Sequence, residues 1–274
     1  MTSCPVEELK MEIPYSRWHA AIPRRRARRR YNRVTLEAEQ IAQLQRVCKV
    51  FRPFPQVRAE LITESPDEVL RGIVASYGKV KGAPAVIAFV GDVNDPNINE
   101  KVGYTGEGII LEATAMGLGT CWVGGTVFFR RGVTEARVGV GKNEKVWAVS
   151  PVGHAVEGFT TEEKAMTGFG LAHRRKPLKE LVKGLDEKAW SGWIKGGLEA
   201  ARLAPSAVNR QPWRFYVEPD SVTVSVDNSL FEWGISKRLD CGIAMLHIEV
   251  AALDSGVRGR WEFLKAPEVA RFVV

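Results

Sequence analysis

The sequence predicts a chain of interspersed helices and strands organised as two similar halves. Two observations carry this. Stretches with apolar residues at helical spacing alternate with short continuous apolar runs, and clusters of proline, glycine and asparagine separate them. A helix, a glycine-bearing turn and a tryptophan also occur twice: Gly103, Gly117 and Trp122 return as Gly242, Gly256 and Trp261, each 139 residues later. That offset is about half the chain and points to an internal duplication, although alanine-rich helices ending in glycine also arise by chance.

In chain order, a loose start (Met1 to Glu12) leads into Tyr15 to Arg30, which can form a helix ending in an arginine run. Thr35 is suited to cap a second helix, with Leu36, Ile41, Leu44 and Val47 on one face. Arg52-Pro53-Phe54-Pro55 ends that helix, and Val57 to Thr63 reads as a strand. Asp67 to Tyr77 is helical, and Ala85 to Val90 is an apolar run suited to a buried strand. Asn94 to Asn99 is a turn region, and Gly106 to Met116 a helix of small and apolar residues closed by Gly117-Leu118-Gly119. Val146 to Val152 is another strand, which Pro151-Val152-Gly153-His154 terminates. Ala155 to Gly170 has the composition of a connector, so the halves fall at 1–160 and 161–274 and fold together as one unit. Lys188 to Leu203 is a helix, Phe215 to Val217 and Val222 to Val226 form a hairpin around Glu218-Pro219-Asp220, and Cys241 to Leu253 is a long helix leading to Gly256 to Phe263.

Composition narrows the function classes. A hydrophobic share of 45% with 26% charged residues is ordinary for a soluble globular protein. No apolar stretch approaches the roughly 20 residues of a membrane span, and no signal-peptide core is present, so a cytoplasmic location away from membranes is expected. Cys4, Cys48, Cys121 and Cys241 are scattered, which suits thiols in a reducing compartment better than disulfides or a metal site. His247, six residues after Cys241, reads as packing rather than ligation. The formal charge of +7 equals the seven arginines between Arg24 and Arg33. Such a run can hold nucleic acid nonspecifically. No nucleic-acid motif or aromatic stacking pattern surrounds it, so no nucleic-acid partner is expected, and a phosphate group would also use arginine forks.

Four segments can carry chemistry. Ala204-Pro205-Ser206-Ala207-Val208-Asn209-Arg210-Gln211-Pro212-Trp213 follows a helix and precedes a strand, and it presents Ser206, Asn209 and Gln211. Their hydroxyl and amide groups can meet the mixed donor and acceptor edge of a planar heterocycle, whereas the plain alternative is a polar turn. In Arg25-Arg26-Ala27-Arg28-Arg29-Arg30-Tyr31, arginines four apart on a helix can pinch one phosphate. In Gly117-Leu118-Gly119-Thr120-Cys121-Trp122-Val123-Gly124-Gly125, the glycine pair lets backbone approach a flat ring. The fourth is Arg174-Arg175-Lys176 before Pro177.

Together these strings resemble the FMN-dependent nitroreductase family, and the resemblance extends over most of the chain. The Pro-Ser-x-x-Asn-x-Gln-Pro-Trp string is similar to the family loop on the polar side of the flavin. The arginine segment resembles the family's Arg-x-Ser-x-Arg-x-aromatic signature, aligned on Tyr31; Ala27 stands where the family has serine, so one side-chain hydrogen bond is missing. The resemblance implies an α+β fold with a mixed, largely antiparallel sheet flanked by helices. It implies FMN held by Arg25, Arg26, Ala27, Arg29, Trp122, Val123, Gly124, Gly125, Arg174, Arg175, Lys176, Pro205, Ser206, Asn209 and Gln211, with no metal and no catalytic side chain, the chemistry residing on the flavin. NAD(P)H is the implied co-substrate and a small nitroaromatic or quinone the implied acceptor. Flavin binding with little turnover, in electron transfer or sensing, is one alternative, and a basic nucleic-acid-binding protein using the arginine run is the other.

Family members are homodimers whose flavin sites straddle the interface. Here the arginines and the glycine turn lie in the first half, and the loop lies in the second. The resemblance therefore implies a double-length, fused protein, a monomer acting as a pseudo-dimer with one FMN. Other motifs fail: Val138 to Asn143 lacks the first glycine and the Ser/Thr of a phosphate loop, and no Gly-x-Gly-x-x-Gly or Gly-x-Ser-x-Gly string occurs in the expected place.

Overall fold

The computed structural model describes residues 11–70, 80–125, 128–158, 174–229, 232 and 234–274. The first half runs α1 (Tyr15–Ala21), α2 (Ala38–Val50), β1 (Val57–Ile62), α3 (Pro66–Leu70), β2 (Ala85–Asp92), α4 (Ile98–Ala115), β3 (Gly119–Thr120), β4 (Val123–Gly124), α5 (Arg131–Val138) and β5 (Glu144–Gly153). The second runs α6 (Leu178–Leu181), β6 (Val182–Gly184), α7 (Gly192–Arg202), β7 (Trp213–Glu218), β8 (Ser221–Val226), α8 (Lys237–Asp254), β9 (Arg260–Phe263) and β10 (Glu268–Val273). The expected boundary at 160/161 and most of the expected connector lie outside the described residues, as does the end of the helix expected to reach Tyr77.

Each half carries its own sheet. The first has the order β1-β2-β5, with β3 and β4 both on the far side of β5, and every pairing is antiparallel. The second has the order β6-β7-β8-β10-β9, antiparallel except for the parallel pair β6–β7. Setting β6 aside, the two sheets share one topology, and the largely antiparallel α+β expectation holds with two sheets in place of one. The helices repeat as well. α4 and α8 are each 18 residues long, and both their starts and their ends are 139 residues apart. Both helices are buried along nearly their whole length, and they pack against each other between the sheets. One continuous apolar cluster therefore runs from Trp18 to Phe272 through both halves. β2 is buried on both faces: Ala85, Ile87 and Phe89 join that cluster, while Val86, Ala88 and Val90 join a second one with Phe129 and Val149.

Three local expectations are corrected. The first helix ends at Ala21 instead of continuing to Arg30, because Pro23 has no N–H to extend it. The arginines are extended, with isolated bridges from Ala27 to Thr120, Arg30 to Lys81 and Tyr31 to Ala155. The second helix is capped at Glu37 rather than Thr35: the Glu37 N–H donates to Gln40 Oε1 at 3.1 Å, and Leu36 and Ile41 flank the cap and enter the core in the positions of a hydrophobic staple. The helix expected from Lys188 starts at Gly192, because Asp186 Oδ1 captures the Lys188 N–H at 2.9 Å and sets a separate short turn. No helix among the described residues is long and apolar enough to cross a membrane.

Candidate functional site

The extended arginine segment lies beside β3: Ala27 pairs with Thr120, and the Arg28 N–H donates to the Thr120 carbonyl at 2.8 Å. Because the segment is extended, no helical face gathers its arginines. Arg25 is buried, whereas Arg26 is exposed and folds back onto the carbonyls of Pro23 and Arg25, both at 2.8 Å. Arg29 is tied through its carbonyl to the Lys81 N–H at 2.9 Å. Burial lowers the pKa of Arg25, a sign of how strongly its charge is stripped of water, and its Nε has no hydrogen-bond partner among the described residues.

The loop after α7 is held by hydrogen bonds to the basic segment before α6. Arg175 Nη1 donates to Asn209 Oδ1 at 2.9 Å and to the Ala204 carbonyl at 2.8 Å, and its Nη2 donates to the Leu203 carbonyl at 3.0 Å. Asn209 Nδ2 and Gln211 Nε2 both donate to the Arg174 carbonyl, at 3.1 and 2.9 Å. Gln211 Oε1 receives the Lys176 N–H at 2.8 Å, Lys176 Nζ reaches the Arg210 carbonyl at 3.1 Å, and Ser206 Oγ receives the Gln211 N–H at 2.9 Å. Arg174 itself is exposed and takes part through its carbonyl. These bonds hold an unusual backbone: Val208, Asn209 and Gln211 have φ of 46°, 54° and 49°, a left-handed region that costs a non-glycine residue about 1–2 kcal/mol. Pro205 stiffens the entry to the loop.

The two halves meet here. The pKa of Arg175 is pushed down to about 10, by burial first and then by the positive charges of Arg25 and Arg26. Arginines separated by some 150 positions in sequence thus share one electrostatic site. Glu107 of α4, fully buried, lies next to it: its Oε1 is 3.8 Å from Arg25 Nε and 3.0 Å from His247 Nε2, and its Oε2 accepts from Trp122 Nε1 at 2.7 Å. The Trp122 ring packs on Phe89 at 4.8 Å and against Gly106. Beyond Trp122, Val123 and Gly124 pair with Val149 and Ala148 of β5, and Gly125 turns with φ of 80°. A Cβ on Gly124 would lie 3.3 Å from Ile235 of the second half. Arg210 links that segment to the loop, donating to the Ile235 carbonyl at 2.8 Å and to Asp240 Oδ2 at 2.7 Å, while Asp240 also accepts the Ala207 N–H at 3.2 Å.

The chain matches the family described as "Putative TM nitroreductase" over residues 18–252. It belongs to this nitroreductase family. Among solved structures, a Thermotoga maritima protein described as a putative nitroreductase shares the fold with a TM-score of 0.63 at 17% identity, covering 99% of each chain. An FMN-dependent nitroreductase from Clostridium difficile has 18% identity and a TM-score of 0.43, covering 50% of this chain and 87% of its own. A Bacteroides fragilis nitroreductase with bound FMN has 18% identity and a TM-score of 0.41, covering 52% of this chain and 90% of its own. No curated protein matches.

In this nitroreductase-family chain the sequence-selected residues form two connected groups. Arg25, Arg26, Arg174, Arg175, Lys176, Ser206, Asn209 and Gln211 converge electrostatically or by hydrogen bonds. Trp122, Val123, Gly124 and Gly125 join them through Glu107 and Ile235. Glu107, His247, Asp240 and Arg210 were not among the selected residues. Glu107 carried a readable signal, a carboxylate within the otherwise uncharged stretch Gly103 to Leu111 of a buried helix, since such residues are almost never fully buried without a partner.

Proposed function

We propose that this nitroreductase-family chain is a cytoplasmic FMN-dependent oxidoreductase that takes reducing equivalents from NAD(P)H and passes them to a small acceptor such as a nitroaromatic or quinone. We read it as a fused pseudo-dimer, a monomer carrying one flavin per chain. The observation that carries the reading is the convergence of Arg25 and Arg26 from the first half with Arg175 and Asn209 from the second. Two buried or half-buried guanidiniums that repel one another stay charged at neutral pH only at a cost, which a bound dianion offsets. Arg25 Nε has no hydrogen-bond acceptor among the described residues, and the phosphate of FMN suits it. Gly124 and Gly125 supply backbone without side chains for the ring.

Bound FMN would supply the hydride chemistry. The chain's own part is to orient the flavin and set its electrostatics. Arg25, Arg26, Arg29 and Arg175 would hold the phosphate. The loop's internal hydrogen bonds, from Ser206, Asn209 and Gln211, would fix Arg175 and Lys176 in place, and the glycine turn with Ile235 would border the ring.

One site per chain is supported by what occupies the equivalent place in the other half. Phe263 stands 139 residues after Gly124, and Lys101 stands 139 before Asp240. Phe54 precedes β1 by three residues, as Arg210 precedes β7. The Arg210–Asp240 ion pair thus corresponds to the Lys101 ammonium 5.7 Å over the Phe54 ring. Phe54 in turn packs edge-on against Phe263 at 5.6 Å and Tyr104 at 5.2 Å. Aromatic side chains fill the second place.

Purification with identification of the released flavin, followed by NAD(P)H oxidation with nitro and quinone acceptors, tests the proposal. Bound FMN without turnover would favour an electron-transfer role. A colourless protein that takes up no FMN and retains DNA or RNA in a salt-dependent way would overturn it.

A further inference from the structure

The buried Glu107–His247 pair has a charge state that hydrogen-bond chemistry constrains. Both residues are fully buried, on facing helices from the two halves. His247 Nδ1 is 2.9 Å from the Ala200 carbonyl, which can only accept, so Nδ1 carries a hydrogen. His247 Nε2 is 3.0 Å from Glu107 Oε1. A neutral imidazole with hydrogen on Nδ1 would face a carboxylate lone pair with a lone pair of its own. A proton therefore lies between them, on His247 as imidazolium or on Glu107 as carboxylic acid. In either arrangement the pair sums to zero charge.

This matters because of Arg25, whose Nε is 3.8 Å from the same Glu107 oxygen and makes no hydrogen bond among the described residues. A lone Glu107 carboxylate would cancel the Arg25 charge. We infer that His247 is a positioning residue for the anion site: the proton it shares with Glu107 neutralises that carboxylate and leaves the Arg25 charge for a bound phosphate group. The other charged groups around the pair point the same way. Arg26 and Arg175 add positive charge, and Trp122 satisfies the second Glu107 oxygen without adding any. Cys121 also faces Arg25, and Glu249, further along α8, is engaged with Tyr104 at 2.6 Å and Trp261 at 2.7 Å. The inference rests on the anion site of the proposed function but not on the identity of the flavin.

The test is calorimetric titration of the full chain with inorganic phosphate, and separately with FMN. His247→Asn keeps a donor for the Ala200 carbonyl and removes the shared proton, so phosphate affinity falls about tenfold or more. Adding Glu107→Gln to it removes the stranded carboxylate, and affinity returns to within about threefold of wild type. A structural defect would not be rescued in this way. A double variant no better than His247→Asn alone overturns the inference. If His247→Asn does not fold, Glu107→Gln alone decides: a change under about threefold supports compensation, and a tightening of about tenfold shows an uncompensated carboxylate and overturns it. Wild-type protein that binds no phosphate also overturns it, whereas phosphate binding without FMN binding refutes only the flavin reading.

Discussion

Gly103 and Gly242 form a reciprocal pair where α4 and α8 cross. A Cβ on Gly103 would collide with the Leu239 carbonyl, and a Cβ on Gly242 with the Glu100 carbonyl. The 139-residue offset exchanges the two contacts, so at this crossing the halves meet through equivalent positions, as two subunits do at a two-fold axis. The obstructing atoms are backbone and cannot swing aside. Gly103→Ala and Gly242→Ala should each destabilise the protein by about 2 kcal/mol or more, read as a lower urea midpoint. The pair spans both halves, so unfolding should remain one transition.

Asn209 couples two backbone segments and a guanidinium. Its Oδ1 accepts from Arg175 and its Nδ2 donates to the Arg174 carbonyl. Asn209→Ala should loosen Arg175 at the anion site and weaken FMN binding by about tenfold, with a stability loss of about 1 kcal/mol. Equilibrium titration monitored by flavin fluorescence checks the first value, and chemical denaturation of the flavin-free protein checks the second.

Much of this arrangement was legible in the chain, and the reasons differ by residue. The equal spacing of Gly103, Gly117 and Trp122 with their counterparts foretold the paired helices, because close approach and turn geometry leave few alternatives to glycine. The strands Ala85–Asp92 and Trp213–Glu218 were visible as apolar or alternating runs. Local propensity predicts a helix for the arginine segment, because arginine favours helices, whereas Pro23 and pairing with Thr120 decide otherwise. The loop amides read as ligand-facing from the sequence; Asn209 and Gln211 bond the Arg174 carbonyl, the Arg175 guanidinium and the Lys176 N–H, long-range partners that local pattern does not reveal. Glu107 and His247 find each other across the two halves, 140 positions apart.

Trp122 serves as both packing and donor. Trp122→Phe preserves an aromatic ring against Phe89 and Gly106 but removes the N–H that Glu107 Oε2 accepts. A buried carboxylate oxygen left unpaired should cost about 1–3 kcal/mol, measured by denaturation of wild type and variant at the same pH.

Asp240 should impose a pH dependence. Burial raises its pKa to about 6 against an ordinary 3.8, with Arg210 pulling the other way. A carboxyl whose folded pKa lies above its unfolded one binds more protons in the folded state between those values. Its contribution is therefore full below about pH 4 and is lost as pH rises through about 6, by up to roughly 3 kcal/mol. Asp240→Asn cannot titrate, so the stability of wild type relative to this variant should fall as pH rises from 4 to 7. A pH-independent difference would show that Asp240 is already ionised across that range.

The most direct measurement for the whole account is the stoichiometry of FMN binding to the flavin-free full chain, determined by titration at known protein concentration. Convergence of the two halves on a single arginine site, with Phe54 and Phe263 filling its counterpart, predicts one FMN per chain and no second, weaker event. Two FMN per chain, or none, would contradict it.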